Sequence, residues 1–186
     1  DSDEWDENSL EWLKNISNEV AVKLGSAEAR RSLVLDGLDS LSDEAAEGLS
    51  KFKGGLSLNG LSALSDKAAV ALSKHEGYLD LNGLTQISDV AAESLSKYKG
   101  ELGLRDLTEI TNTPLSRKLA GQDRDLTLNG LKQLSDATAE ALSKHEGNFL
   151  ALNGLTELSD AAAEELGKFR GGVSDSELRM QRNSWW

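Results

Sequence analysis

Leucine, alanine and polar residues recur in a fixed order along most of the chain. The shared pattern is LxLNGLxxLSDxAAxxLSKxxG. Its copies start at Leu33, Leu56, Leu79, Leu102, Leu126 and Leu150. Successive starts are 23, 23, 23, 24 and 24 residues apart, and periods of this length are typical of solenoids, in which each repeat packs on the next. We number the positions of each repeat from 1 at this first leucine.

Each repeat combines two periodicities. Positions 1 and 3, such as Leu79 and Leu81, alternate as in a short β-strand. Positions 13, 14 and 17, such as Ala91, Ala92 and Leu95, recur at helical spacing. The pattern therefore predicts one strand and one helix in every repeat. Alanine at positions 13 and 14 removes bulk where the helix faces the strands, so that repeats can pack closely.

Polar residues and glycines predict where each helix begins and ends. A serine and an aspartate at positions 10 and 11 precede the alanines in Ser42-Asp43, Ser65-Asp66, Ser88-Asp89, Ser135-Asp136 and Ser159-Asp160. Their oxygens can accept from free amides of the first helical turn, which contributes about 1 kcal/mol per cap. Lysine at position 19 suits the negative end of the helix, and glycine at position 22 predicts a left-handed stop. Glycine at position 5 predicts a turn after the strand.

The fourth repeat departs most from the pattern. Arg105-Asp106 replaces Asn-Gly at positions 4 and 5, and Asn112-Thr113-Pro114-Leu115 replaces the usual cap and alanines. Proline is tolerated in a first helical turn, so we expect this helix to persist with a shifted packing face.

The repeat core has a family resemblance. The segment LDLNGLTQISD, residues 79–89, resembles the LxLxxCxxITD core of the cysteine-containing class of leucine-rich repeats, with Leu84 where that class has cysteine. A decayed copy extends the pattern toward the N-terminus through Leu10, Leu13, Ile16, Ser17-Asn18, Val20-Ala21 and Leu24. The resemblance implies an α/β fold, a curved right-handed solenoid with a parallel sheet on the concave side and helices on the convex side. It also implies a role in binding other macromolecules, without reaction chemistry.

The pattern predicts three segments. Residues 1–32 form an N-terminal cap and decayed repeat, residues 33–172 form six repeats, and residues 173–186 form a C-terminal cap or tail. All four tryptophans, Trp5, Trp12, Trp185 and Trp186, lie near the ends, where stacked repeats leave apolar surface to cover. The tail can also be the cut edge of a longer array. An incomplete cap favours dimerisation through a solenoid end, because exposed strand edges pair readily.

Composition narrows the classes of partner. Thirty-two acidic and twenty basic side chains give a net charge of -12, which repels phosphate backbones and anionic headgroups. We therefore expect no nucleic-acid partner. The acidic start DSDEWDE is unlike a signal peptide, and no apolar run reaches the length of a membrane span. We predict no signal peptide and no membrane insertion. The compartment is left open, and we favour the cytoplasm.

Candidate catalytic and metal-binding residues fit structural roles better. His75 and His145 both fall at position 20, where the other repeats have Phe52, Tyr98, Gly121 and Phe169. Three strand spacings, about 14 Å, separate the two histidines, too far to share one metal ion. The chain has no cysteine, no DxDxDG segment and no phosphate-binding glycine loop, and the Ser-Asp pairs lack a histidine base. We predict no enzyme activity, no cofactor and no metal.

Positions 0, 2 and 4 project from the predicted concave sheet if positions 1 and 3 point into the core. Position 4 is asparagine in four repeats, and a ladder of hydrogen-bonded amides along the axis explains this without a ligand. Aromatic and charged residues interrupt this small, polar surface, and tyrosine and arginine are common interface anchors. The predicted binding patch consists of Tyr78, Asp80, Glu101, Arg105, Asp125, Thr127 and Phe149.

Two functions fit this surface. The first is a non-enzymatic scaffold that binds a protein or peptide on the concave face, and Tyr78, Arg105 and Phe149 favour it. The alternative is a structural spacer, or a repeat segment of a larger protein, with no specific ligand. The small and polar character of most concave positions favours the spacer.

Overall fold

The computed structural model describes residue 10, residues 12–27 and residues 32–174. Within these residues seven helices alternate with seven short parallel strands, so the predicted α/β repeat is confirmed. The chain divides into two compact units, Asp1–Gly103 and Leu104–Trp186. We refer to them as unit 1 and unit 2 and describe each by itself.

Unit 1 contains four helices and four strands in its described part. The helices are α1 (Asn18–Gly25), α2 (Asp43–Leu49), α3 (Asp66–Leu72) and α4 (Asp89–Ser96). The strands are β1 (Leu33–Val34), β2 (Leu56–Ser57), β3 (Leu79–Asp80) and β4 (Leu102–Gly103). They form one parallel sheet in chain order, and its register pairs the first leucine of each repeat with the first leucine of the next. Each helix packs against the next helix along the chain.

The decayed N-terminal copy follows the same backbone pattern. The Leu10 amide donates to the Val34 carbonyl at 2.8 Å. The Leu13 amide donates to the Leu10 carbonyl at 2.9 Å, as the Leu38 amide does to the Leu35 carbonyl at 3.1 Å. Leu10 therefore lies beside β1, and the bonds of Leu10 and Leu13 continue the pattern of the repeats.

Unit 2 contains three helices and three strands in its described part. The helices are α5 (Thr113–Ala120), α6 (Asp136–Leu142) and α7 (Asp160–Leu166). The strands are β5 (Leu126–Thr127), β6 (Phe149–Ala151) and β7 (Gly172–Ser174), which form a parallel sheet in chain order. The sequence pattern does not predict β7, whose Val173 pairs with Leu150.

Leucines and alanines form the core of both units, as the pattern predicts. The leucines at positions 1, 3 and 6 are at most 6% exposed. The alanines at positions 13 and 14, such as Ala68 and Ala69, are buried, except Ala163, which is half-buried. Position 2 is half-buried in most strands, so the leucines point to one face of the sheet and position 2 to the other.

The serine at position 10 both caps its own helix and joins it to the repeat before. In unit 1 its Oγ accepts from the position-13 amide, at 3.0 Å for Ser42, Ser65 and Ser88. The same hydroxyls donate to the preceding position-11 side chain: Ser42 to Asn18 Oδ1 at 2.6 Å, Ser65 to Asp43 Oδ1 at 2.5 Å, and Ser88 to Asp66 Oδ1. We call this series of bonds between repeats the cap ladder. The caps are predictable from the sequence pattern, whereas the bonds between repeats are not.

Helix α5 begins one position later in its repeat than the other helices of unit 2. Asn112, at position 11, is its cap and accepts from the Leu115 amide at 2.8 Å, with Pro114 in the first turn. Leu115 and Ser116 occupy the places of the two alanines and are buried. The helix therefore persists with a shifted face, as predicted, and the shift accounts for the 24-residue step to the next repeat.

The predicted left-handed glycine at position 22 is wrong. No glycine in the described residues has a positive φ, and helices end on right-handed residues such as Ser50. Space is the reason for glycine instead: a Cβ on Gly77 or Gly100 would lie closer than 3.0 Å to the carbonyl oxygen of the equivalent glycine one repeat earlier. A Cβ on Gly83, at position 5, would meet the Asn59 carbonyl in the same way. Both glycine columns let the backbones of neighbouring repeats approach closely.

Position 20 is a column of buried rings, as predicted for the two histidines. His75 is 2% exposed and stacks on Tyr98, with ring centroids 6.4 Å apart. His145 is 6% exposed and stacks on Phe169, with centroids 5.8 Å apart. Each unit thus has one histidine inside its packed loops.

In the fourth repeat, Gln122 belongs to this column, although the repeat numbering places Gly121 at position 20. Because α5 is shifted by one residue, the amide of Gln122 donates to the Leu119 carbonyl at 3.3 Å, the bond that His145 makes to Leu142 at 3.0 Å. Gln122 is half-buried, whereas Gly121 is exposed. The position assigned to Gly121 therefore belongs to Gln122.

Candidate binding surface

Three residues of the predicted patch lie together on the open sheet face of unit 1. Tyr78 precedes β3, Asp80 ends it and Glu101 precedes β4, and all three are half-buried. The pairing of Leu79 with Leu102 places Tyr78 beside Glu101 on the neighbouring strand. The sequence thus identifies a local set in unit 1, although its role in binding stays a prediction.

A hydrogen-bonded cluster occupies positions 2 and 4 of the first three repeats. Asn59 Nδ2 donates to Ser57 Oγ at 2.9 Å, to Asp36 Oδ2 at 3.2 Å and to Asp80 Oδ2 at 3.4 Å. The Asn59 amide and the Ser57 hydroxyl donate to Asp36 Oδ1 at 2.9 and 2.6 Å. The Asn59 carboxamide therefore lies between two carboxylates and offsets part of their repulsion. Asp80 belongs to the predicted patch, but its connection to Asp36 through Asn59 is not predicted from the sequence.

The predicted ladder at position 4 is confirmed in part. Asn59 Oδ1 accepts from the Asn82 backbone amide at 2.9 Å, and Asn129 Oδ1 accepts from the Asn153 backbone amide at 3.1 Å. The bonds run from side chain to backbone, whereas the prediction had side-chain amides bonding to one another. Asparagine at this position stabilises the packing of repeats without a ligand.

The open face of unit 1 is acidic. Among positions 0, 2 and 4 of its described repeats, the charged residues are Asp36, Asp80 and Glu101, with no lysine, arginine or histidine. Gly103 leaves room for the Asp80 carboxylate, since a Cβ on Gly103 would clash with Asp80 Oδ1 and lie 2.9 Å from Asn82 Oδ1. A partner on this face would meet negative charge.

The remaining patch residues lie in unit 2. Arg105 is exposed, and its Nε is 3.5 Å from Asp106 Oδ1 with about half of each side chain exposed. Thr127, on β5, is half-buried, and Asp125 is exposed. Phe149 begins β6 and is 38% exposed.

Phe149 is the large apolar side chain of this second set. The pairing of Leu126 with Leu150 places Asp125 beside Phe149. A Cβ on Gly172 would lie 3.4 Å from Phe149 Cδ2, so the glycine of β7 leaves space for the ring. The seven predicted residues therefore fall into two local sets, one in each unit.

In the part of the chain that the structure describes, no three His, Cys, Asp or Glu side chains are grouped so as to hold a metal ion. No helix in that part of the chain has the length and apolar character needed to cross a membrane. Comparison with known protein families, curated proteins and solved structures finds no match for this chain.

Proposed function

We propose that the chain is a leucine-rich-repeat solenoid that acts as a non-enzymatic scaffold and binds a protein or peptide on the inner face of its sheet. The regular register of parallel strands and the buried leucines at positions 1, 3 and 6 support the family assignment. In this proposal the sheets form the concave side and the helices the convex side.

One observation carries the binding role, namely the residues at position 0. While the core positions repeat, position 0 in unit 1 changes from Ser32 and Gly55 to Tyr78 and Glu101. Gly55 contributes no side chain beside Tyr78, and a Cβ there would lie 3.6 Å from Tyr78 Cβ. Because the glycine has no side chain, one face of the neighbouring aromatic ring is accessible, and a partner side chain can pack on it. The acidic residues around it favour a partner segment with basic side chains.

A selected peptide tests this proposal. Peptides would be enriched from a displayed library on the folded chain, and the best one measured by calorimetry against Tyr78→Ala. We expect affinity to fall at least about tenfold, or about 1.4 kcal/mol. The matched control is Val90→Ala on helix α4, a side chain that is 52% exposed away from the sheet, which should leave affinity unchanged. Equal affinities for wild type and Tyr78→Ala would refute the role of this face.

A structural spacer is the second candidate, and the position-4 ladder favours it. Asn59 and Asn129 use their carboxamides within the repeats, so part of the inner face serves packing. If the chain is a spacer, library selection should enrich no common sequence, and no peptide should discriminate Tyr78→Ala from wild type.

We also propose dimerisation through the N-terminal end of the array. Trp12, Val20 and Val22 are 74%, 43% and 47% exposed there. Sedimentation equilibrium of wild type and of Val20→Ser/Val22→Ser tests this: the wild type should dimerise with rising concentration and the double variant should not. A wild type that stays monomeric would exclude it.

A further inference from the structure

His75 occupies a costly place in unit 1. It lies in the loop after α3 and is 2% exposed, and neither ring nitrogen has a hydrogen-bond partner among the described residues. A buried polar group without a partner costs about 1 to 3 kcal/mol. The equivalent Phe52 and Phe169 fill position 20 without that cost. The histidine therefore adds chemistry that packing alone does not require.

The ring packs against the segment that leads into β3. His75 stacks on Tyr98 with an angle of 10° between ring planes, and the Tyr98 hydroxyl donates to the Gly77 carbonyl. A Cβ on Gly77 would lie 2.9 Å from His75 Nε2. Gly77 is followed directly by Tyr78, the aromatic residue of the inner face. The His75 ring therefore lies against the backbone that leads to Tyr78.

Neutral groups surround this ring. Burial lowers the pKa of His75 below its ordinary 6.5, and backbone groups, foremost that of Tyr78, oppose the shift without cancelling it. Burial also raises the pKa of Tyr98, which therefore stays neutral. The charged side chains beside the packed loops are exposed: Lys51, Lys53, Lys74, Glu76, Lys97 and Lys99. Glu101 raises the pKa of Tyr98 further.

We propose that His75 is an acid-sensitive switch: protonation makes both ring nitrogens donors, displaces the ring from its buried place, and shifts the Gly77–Tyr78 segment at the start of β3. Two N–H groups of a buried cation need acceptors, and neither nitrogen of the packed ring is aligned with one. The backbone groups of Tyr78, Ser50, Gly54 and Phe52 lie near enough to favour the charged ring, so the ring has to move to hydrogen-bond to them. The switch acts on Tyr78, so its effect on binding rests on the proposed function, whereas the displacement itself does not.

His145 provides the internal control. It occupies the same position in unit 2, and its Nδ1 lies 2.8 Å from the Ala120 carbonyl oxygen, to which a protonated Nδ1 donates. His145 Nδ1 therefore already has a partner, whereas His145 Nε2, like both ring nitrogens of His75, has none among the described residues. A charged ring needs one new acceptor in unit 2 and two in unit 1, so we expect the smaller displacement in unit 2.

NMR titration tests the displacement. The chain has two histidines, so His75→Phe and His145→Phe assign both imidazole resonances between about pH 8 and pH 5. We expect His75 to titrate below 6.5, and the Tyr78 and Leu79 amides to shift with the same midpoint in wild type and in His145→Phe. In His75→Phe these amides should stay still. His75→Tyr is a second variant without a titrating imidazole, and tyrosine already occupies position 20 of the next repeat as Tyr98. The Tyr78 and Leu79 amides should stay still in this variant too.

Two results would overturn the switch: amides of Tyr78 and Leu79 that titrate equally in the His75 variants, or a His75 resonance that titrates at or above its ordinary pKa. Binding is tested separately with the peptide selected on the inner face. Its affinity should fall about fivefold or more between neutral and mildly acidic pH for wild type, and remain constant for His75→Phe. Amide shifts that follow His75 without any peptide binding would refute the proposed function and leave the switch intact.

Discussion

The cap ladder runs unbroken through the four helices of unit 1, whereas in the described part of unit 2 it joins α6 to α7 alone. There, Ser159 donates to Asp136 Oδ1 at 2.7 Å. Ser135 keeps its capping bond to the Thr138 amide at 3.1 Å, but its hydroxyl donates to Thr138 Oγ1 at 3.0 Å within the same repeat. Capping a helix and joining it to its neighbour are therefore separable tasks. One serine performs both where the preceding helix starts in register.

Buried hydroxyls replace the missing bond in unit 2. Thr138 and Ser116 are 1% and 0% exposed. Thr138 Oγ1 donates to the Ile110 carbonyl at 3.0 Å and lies 3.5 Å from Ser116 Oγ. A surface bond between repeats in unit 1 thus corresponds to an internal polar contact in unit 2.

The leucine cores should respond alike. Leu81 in unit 1 and Leu152 in unit 2 both hold position 3 and are fully buried. Replacement of either by alanine should lower the free energy of unfolding by about 2 to 5 kcal/mol, through lost burial and a cavity. Urea unfolding of both variants measures this. A much smaller loss for Leu152→Ala would show that the two units differ in core packing as well as in their polar bonds.

Thr138 should matter more than the alanine found at its place elsewhere. Thr138→Ala removes the donor to the Ile110 carbonyl and leaves buried polar groups with fewer partners, so we expect a loss of about 1 to 3 kcal/mol. Thr138→Ser keeps the hydroxyl and is the control, with most of the stability retained. Equal stabilities of wild type and Thr138→Ala in urea would show that the internal contact is dispensable.

The cap ladder should be measurable as a coupling. Ser65→Ala removes both the cap and the bond to Asp43, at an expected cost of about 1 to 2 kcal/mol. A double-mutant cycle with Asp43→Ala isolates the bond between repeats. In unit 2, Ser135→Ala should show no coupling to Asn112, the residue at position 11 of the repeat before. A zero coupling between Ser65 and Asp43 would reduce the ladder to ordinary capping.

Acid should weaken unit 1 through His75. Because the pKa of His75 is lowered on folding, the unfolded chain takes up its proton first. The free energy of unfolding is therefore not reduced by His75 protonation above pH 6.5. Below that value it declines as the pH falls, by at most about 1.4 kcal/mol per pH unit. Denaturant unfolding across this range should show a decline that His75→Phe reduces. The same decline in His75→Phe and wild type would assign it to other groups.

Much of the fold is predictable because each repeat contains its own signals. Leucine alternation gives the strands, alanines with a preceding serine give the helices, and Asn112 with Pro114 gives the start of α5. Strand β7 is missed because Gly172 and Val173 lack the leucine pattern. Its pairing with β6 supplies what local sequence does not.

Contacts between repeats are harder to predict, because they depend on which atoms face each other across two segments. Glycine at position 22 suits both a left-handed turn and a close approach, and the sequence does not distinguish them. The shift from Gly121 to Gln122 depends on where the extra residue of the fourth repeat is placed. Asp36 and Asp80 become neighbours of Asn59 through strand register. The residues of the candidate surface are predictable from alternation, but their mutual bonds are not.

The bond from Ser65 to Asp43, repeated from Ser88 to Asp66, has a direction. Each repeat of the cap ladder donates a hydrogen bond to the repeat before it and offers an acceptor to the repeat after it. A duplicated gene segment of one whole period would therefore find matching groups at both of its junctions wherever the ladder is continuous. Tandem duplication of whole repeats therefore keeps the bonds between repeats. An insertion of a single residue breaks them and needs new buried polar groups, as in Ser116 of the fourth repeat and its partner Thr138 of the fifth.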